Sequence, residues 1–236
     1  MKSRITEQTL LVMDASTTQA VIGLVRDNQC LQQICWPSSR GNPGTLVANI
    51  QELCHTAAIP LEKLDAILVG CGPGQYAGLR VSVTVAQTLQ LPAGGEVWGI
   101  CSAYPLFEVA RETHPHVSSL VVCGDARRNH IWLYQWNRDA EQQPPPDMQC
   151  LPIDALADIE LPDNTLIASP DYERLHTRLQ LPGNAQWIMG NQAPTVPAIM
   201  RLIQRHPLAR TKPVIQYVHP PVASPLARPP QGSPGV

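Results

Sequence analysis

Three short stretches hold the residues best suited to chemistry. The run Gly70-Cys71-Gly72-Pro73-Gly74-Gln75-Tyr76-Ala77-Gly78-Leu79-Arg80 lies between an apolar segment and a helical pattern. Glycines so placed let backbone N–H groups approach a phosphate at a helix N-terminus. The spacing departs from both common phosphate loops: no G-K-[ST] follows, and Ala77 stands where the third Gly of G-x-G-x-x-G would fall. A tight strand–helix turn fits it better. Asp14, with Ser16 and Thr17 behind it, resembles a metal- or phosphate-facing acidic turn, although an Asp there equally caps the turn with its own carboxylate. Asp125, Arg127 and Arg128 stand at a second hairpin, suited to a nucleotide or an anion or else to a local surface ion pair.

Other chemistries find little support. None of the seven His stands at the i, i+4 spacing that puts two imidazoles on one helix face. The seven Cys include no C-x-x-C pair, and Cys101 and Cys123 lie in apolar context, where a thiol behaves as a small hydrophobe. No G-x-S-x-G elbow occurs. The residues therefore predict neither a catalytic group nor a metal site.

The elements that would position these turns follow from periodicity. Leu10–Asp14, Ala20–Val25 and Cys30–Trp36 read as a three-stranded meander with a turn at Asp27-Asn28. Leu46, Val47, Ile50, Leu53, Cys54 and Ala57 recur at helical spacing behind Thr45, a fair N-cap. Leu64–Val69 is a buried strand, and Gln75 to Leu91 a helix stopped by Pro92. Val97–Ile100 is a strand and Leu106–Arg111 a helix. Leu120–Cys123 and Asn129–Trp136 form a second hairpin, which echoes the first in ending a strand at Asp125. Short helices are expected at Ile153–Leu156, Tyr172–Leu179 and Pro197–Gln204, with a strand near Gln186–Met189. The class is α/β, with mixed sheets flanked by helices.

With 236 residues and 44% apolar content, the chain can fill one large domain or two lobes. Its net charge of −2, with 15% charged residues, leaves no basic surface broad enough to hold nucleic acid by itself. The start, Met1 to Thr9, has no apolar run behind it and no stretch suits a membrane span, so a cytoplasmic protein is expected. Prolines gather at Pro144–Pro146 and from Pro220 to Pro234, where loop or disorder is expected.

In this order LLVMDASTT (Leu10–Thr18), LDAILVGCGPGQYAGLRVSVTVA (Leu64–Ala86), VWGICS (Val97–Ser102) and DARRNHIWLY (Asp125–Tyr134) resemble the TsaB (YeaZ) family. Pro213–Pro220 looks like that family's C-terminal strand, with His219 where Arg is usual. The resemblance covers about the first 135 residues well and the remainder weakly. It implies the fold of actin and the sugar kinases, with two related lobes, the second reduced. On this basis the expected division is residues 1–104, residues 105–222 and a Pro-rich tail, 223–236.

The resemblance also implies a non-catalytic role. TsaB proteins pair with a larger paralogue, TsaD, which transfers a threonylcarbamoyl group to the tRNA adenosine beside the anticodon, and TsaE, an ATPase, joins them. The family's pairing surface is its first two helices, here about Thr45 to Ala58 and Gln75 to Leu91, which places Leu46, Ile50, Leu53, Leu79, Val81, Val83, Val85, Ala86 and Leu89 at a partner interface. The second helix is apolar nearly all round, as suits a helix covered by another chain, and a homodimer through the same face is expected of the chain alone. tRNA would be met only through the complex.

Asp14, Ser16, Thr17, Gly72, Gly74, Asp125 and Arg127 remain as a vestigial phosphate-binding set. The family's glycine turn continues Ser-Phe-Thr, here Gln75-Tyr76-Ala77, and its His-Ser ahead of the first helix is here Asn42-Pro43. These changes weaken a nucleotide role more than they weaken pairing. No cofactor is expected, with a nucleotide at the partner interface left open. The competing reading is an active ATP-dependent enzyme of the same fold, or a glycoprotease-like TsaD paralogue. The catalytic paralogue carries a metal-binding His-x-x-x-His, which this chain lacks.

Overall fold

The computed structural model describes residues 8–38, 43–90, 94–137 and 147–218. The tail from Pro220, together with His219, Asn42, Pro92 and Pro144–Pro146, lies outside the described residues. Two five-stranded sheets carry the fold. The first contains β1 (Thr9–Asp14), β2 (Gln19–Arg26), β3 (Gln29–Pro37), β4 (Ala66–Gly70) and β5 (Glu96–Ile100), in the order β3-β2-β1-β4-β5. The second contains β6 (Ser119–Arg127), β7 (His130–Asn137), β8 (Gln149–Pro152), β9 (Leu166–Ala168) and β10 (Gln186–Trp187), in the order β10-β9-β6-β7-β8.

In each sheet an antiparallel meander of three strands is followed by two parallel ones, so the second repeats the topology of the first. One connection in each meander, β2–β3 and β6–β7, is a two-residue turn. Asp27-Asn28 and Arg128-Asn129 all have positive φ, the backbone that matches the twist of a tight hairpin.

Alternation along β1 decides the layers. Leu11 and Met13 face α1 (Pro43–Thr56) and α2 (Tyr76–Gln90), while Leu10 and Val12 face α5 (Val196–Arg205). Helix α5 buries Val196, Ile199, Met200 and Ile203, an i, i+3, i+4, i+7 stripe. The Thr195 side chain caps it by accepting from Ala198 N at 3.2 Å. The second sheet has α3 (Tyr104–Thr113) on one face, and α4 (Tyr172–Leu175) with a 3-10 turn at Ile153–Asp158 on the other.

Two expectations change. Helix α1 begins at Pro43, a residue suited to a first helical position, so Thr45 lies in its first turn rather than at its cap. Helix α5, late in the chain, returns to cover the first sheet. There buried Glu108 of α3 meets Arg201 and Arg205 of α5 at 3.9 and 3.8 Å and Arg111 at 3.5 Å. The expected C-terminal strand is, over residues 211 to 218, an extended strap with one bridge, Thr211 to Gly99. Gln216 N donates to Cys71 O at 2.7 Å, and Tyr134 Oη of the second sheet donates to Gln216 Oε1 at 3.2 Å, so the strap ties the two sheets together.

Candidate functional site

The acidic turns and the glycine turn meet at one cleft of about 1050 Å³ between the lobes. Ser16, Thr17 and Gly74 line it from the first lobe, and Asp125 and Arg127 from the second. Asp14 and Gly72 do not line it. Asp14 is 1% exposed, with Oδ1 accepting from Ser16 N at 2.8 Å and Oδ2 without a hydrogen-bond partner among the described residues. A Cβ at Gly70 would overlap that carboxylate, so only glycine leaves room for it. Burial raises the Asp14 carboxyl above its ordinary value of 3.8, outweighing its polar contacts with Ser16 and Ser102.

That shift has a direction in pH. The folded chain keeps the Asp14 proton to higher pH than the unfolded chain does. The group's contribution to stability therefore falls as pH rises from about the unfolded value through the folded one, and stays low above it. Asp14→Asn keeps an oxygen for Ser16 N and removes the buried charge. We expect urea denaturation to show it ~1 kcal/mol more stable at neutral pH, with the gain fading in acid. An equal gain at both ends would show that ionisation is not the cause.

The glycine turn is occupied by the chain itself. Gln75 N, at the start of α2, donates to Ser16 O at 2.7 Å. A Cβ at Gly78 would overlap Ala15 O, and one at Gly74 would overlap Ser16 O. The glycines thus admit the β1–β2 turn against α2, while the run from Cys71 to Gln75 is itself the short strand–helix connection between β4 and α2.

On the opposite wall Asp125 is engaged by Arg127 at 3.1 Å and by Arg174 at 3.4 Å, and Arg174 also pairs with Asp171. Asp125 N donates to Asp171 Oδ2 at 2.9 Å. Arg127 and Arg128 hold φ of 68° and 51°, a left-handed backbone unusual for such side chains. Tyr76 and Tyr217 meet at the first-lobe wall with ring centroids 5.3 Å apart, and Arg80 donates to Tyr76 Oη at 2.8 Å. Tyr76 belongs to the glycine run, whereas Asp171, Arg174 and Tyr217 carried no sequence signal as cleft residues, since tertiary structure alone brings them there.

The helix residues expected at a partner surface divide in two. Leu46, Ile50, Leu53, Leu79, Val83 and Ala86 are buried in the core beneath α1 and α2, because the first sheet itself covers that stripe. Val81, Val85 and Leu89 are half-buried at its edge, an i, i+4, i+8 row, and Val47 of α1 is 39% exposed. Elsewhere burial pushes the thiols of Cys71 and Cys123 up to about 12 and that of Cys101 to about 11, which keeps them protonated and inert. Among the described residues no group of three His, Cys, Asp or Glu is arranged to hold a metal ion, and no helix is long and apolar enough to cross a membrane.

A family model described as TsaD, tRNA N6-adenosine threonylcarbamoyltransferase, matches residues 39–163, just over half of the chain. The chain belongs to the TsaD family, in its TsaB (YeaZ) branch. The branch is marked by relatives named tRNA threonylcarbamoyladenosine biosynthesis protein TsaB. That of Bacillus subtilis is 24% identical over 72% of this chain and 74% of its own length, and that of Haemophilus influenzae 28% identical over 56% and 55%. An uncharacterised protein of Mycobacterium tuberculosis is 31% identical over 55% of this chain. The chain spans 60% of that relative's length. YeaZ from Pseudomonas aeruginosa superimposes with a TM-score of 0.70 at 18% identity, covering 89% of this chain and all of that one. The α/β architecture implied by the TsaB-type motifs, with mixed sheets flanked by helices, is therefore the one observed, and it is the fold of YeaZ.

Proposed function

We propose that this chain is a non-catalytic subunit of tRNA threonylcarbamoylation, pairing with a TsaD-type catalytic chain to support transfer to the adenosine beside the anticodon. The observation that carries this reading is the state of the cleft. The β1–β2 turn fills the backbone cradle at the start of α2, Asp14 is sealed beneath it, and Asp125 and Asp171 are engaged by arginines. A phosphoryl-transfer enzyme needs an accessible carboxylate and open N–H donors at that place. Relatives named for threonylcarbamoyladenosine biosynthesis supply the pathway.

Pairing uses the exposed edge of α1 and α2. Val81, Val85 and Leu89 form an uncharged row on α2, Val47 of α1 is also exposed, and an apolar row left half in water favours a covering chain. Alone, the chain forms a homodimer through the same row, and a TsaE-type ATPase joins the assembled pair. The test is threonylcarbamoyl transfer to tRNA by this chain and the TsaD of its own genome together, compared with either chain alone.

A further inference from the structure

We propose that the mouth of the interlobe cleft is a contact site for single-stranded RNA, in which a base stacks on Tyr76 and Tyr217 and neighbouring phosphates meet Arg80 and Arg128. The proposal rests on the tRNA reading above and assigns this chain its own part in holding the RNA.

Four arginines line the cleft, Arg80, Arg127, Arg128 and Arg174, against two aspartates, Asp125 and Asp171. The aspartates are engaged by Arg127 and Arg174. No carboxylate among the described residues pairs with Arg80 or Arg128, so two positive charges remain for an anion. The same cleft also carries an aromatic surface. Tyr76 is 56% exposed and Tyr217 39%, and Arg80 lies 5.1 Å from the Tyr76 ring centroid, which fixes the ring. Exposed aromatics beside arginines suit unpaired nucleotides, because every base has a face to stack and every linkage a charge.

The hairpin turn is shaped to present these cations. Arg127 and Arg128 occupy left-handed backbone that Gly or Asn adopts with less strain, and such outliers gather at functional sites. A mononucleotide tail seated at the start of α2 is disfavoured, since Ser16 O already takes the Gln75 N–H. What remains open is the rim, which suits a strand passing across it. The net charge of −2 makes this a local patch, so affinity will be modest and salt-dependent.

The experiment is fluorescence anisotropy of a labelled oligoribonucleotide of about ten nucleotides with the full chain, at about 50 mM and about 200 mM salt. Binding should weaken with salt. Tyr217→Ala should weaken it about tenfold, the order that stacking of one base supplies. Arg128→Gly should weaken it severalfold and lower the salt slope by about one, while leaving thermal stability unchanged or raised, because glycine relieves the backbone. The proposal is overturned if the wild-type chain shows no binding at low salt, if both variants bind as wild type does, or if ATP binds alone and fully displaces the RNA, which would make the cleft a mononucleotide site. TsaD pairing measured on the same samples separates the two readings. Pairing with no RNA binding sinks only this inference, and RNA binding without pairing sinks only the proposed subunit role.

Discussion

Val85→Glu should leave the chain folded and weaken its association with a TsaD-type partner by about 100-fold or more, the scale of a central interface residue. Val85 is half-buried in the chain alone, so its carboxylate can turn to water and the stability cost should stay near ~1 kcal/mol. Covered by a second apolar helix face, the same carboxylate loses its water without a partner, which costs several-fold more. Light scattering should show monomers where the wild-type chain forms dimers. Circular dichroism should show an unchanged melt within a few degrees. Unfolding would instead assign Val85 to the core with Val83 and Ala86, and undiminished pairing would move the interface elsewhere.

The second large effect concerns Gly78. Alanine is the better helix former by about 1 kcal/mol, so propensity alone predicts that Gly78→Ala is stabilising. The added methyl, however, would overlap the Ala15 carbonyl oxygen, a backbone atom held by β1 and by the turn that Asp14 anchors. Either α2 or the β1–β2 turn must shift, and overpacking of this kind costs about 1–3 kcal/mol. The clash should win, with a fall in Tm of roughly 6 °C for a chain of this size. A Tm that holds or rises would show that the turn yields freely, and the view of a cradle filled by its own chain would fail with it.

Much of this is legible in the sequence. Unbroken apolar runs mark β1 and β2, period-two alternation marks β7, and Asp27-Asn28 marks a turn, because those signals depend only on neighbours in sequence. The burial facing of α2 is not. Leu79, Val83 and Ala86 repeat with the helical period whether a sheet or a partner covers them, and only the fold shows that the sheet does. Gln90 is buried while Leu89 is half-exposed, an inversion that hydropathy alone misses. β8 and β9, four and three residues long, are too short for a periodic signal. The aromatic pair of the cleft joins Tyr76 to Tyr217 through an irregular strap, and nothing local in either stretch announces the other.

Reconstituted threonylcarbamoyl transfer tests the subunit role most directly. The chain and its genome's TsaD, purified separately and then mixed with TsaE, ATP and threonylcarbamoyl donor, should modify unmodified tRNA. This chain alone should give no product, and omitting it or substituting the Val85→Glu variant should bring the yield of the mixture close to background. Modification by this chain without TsaD, or full activity of the mixture without this chain, would contradict the account.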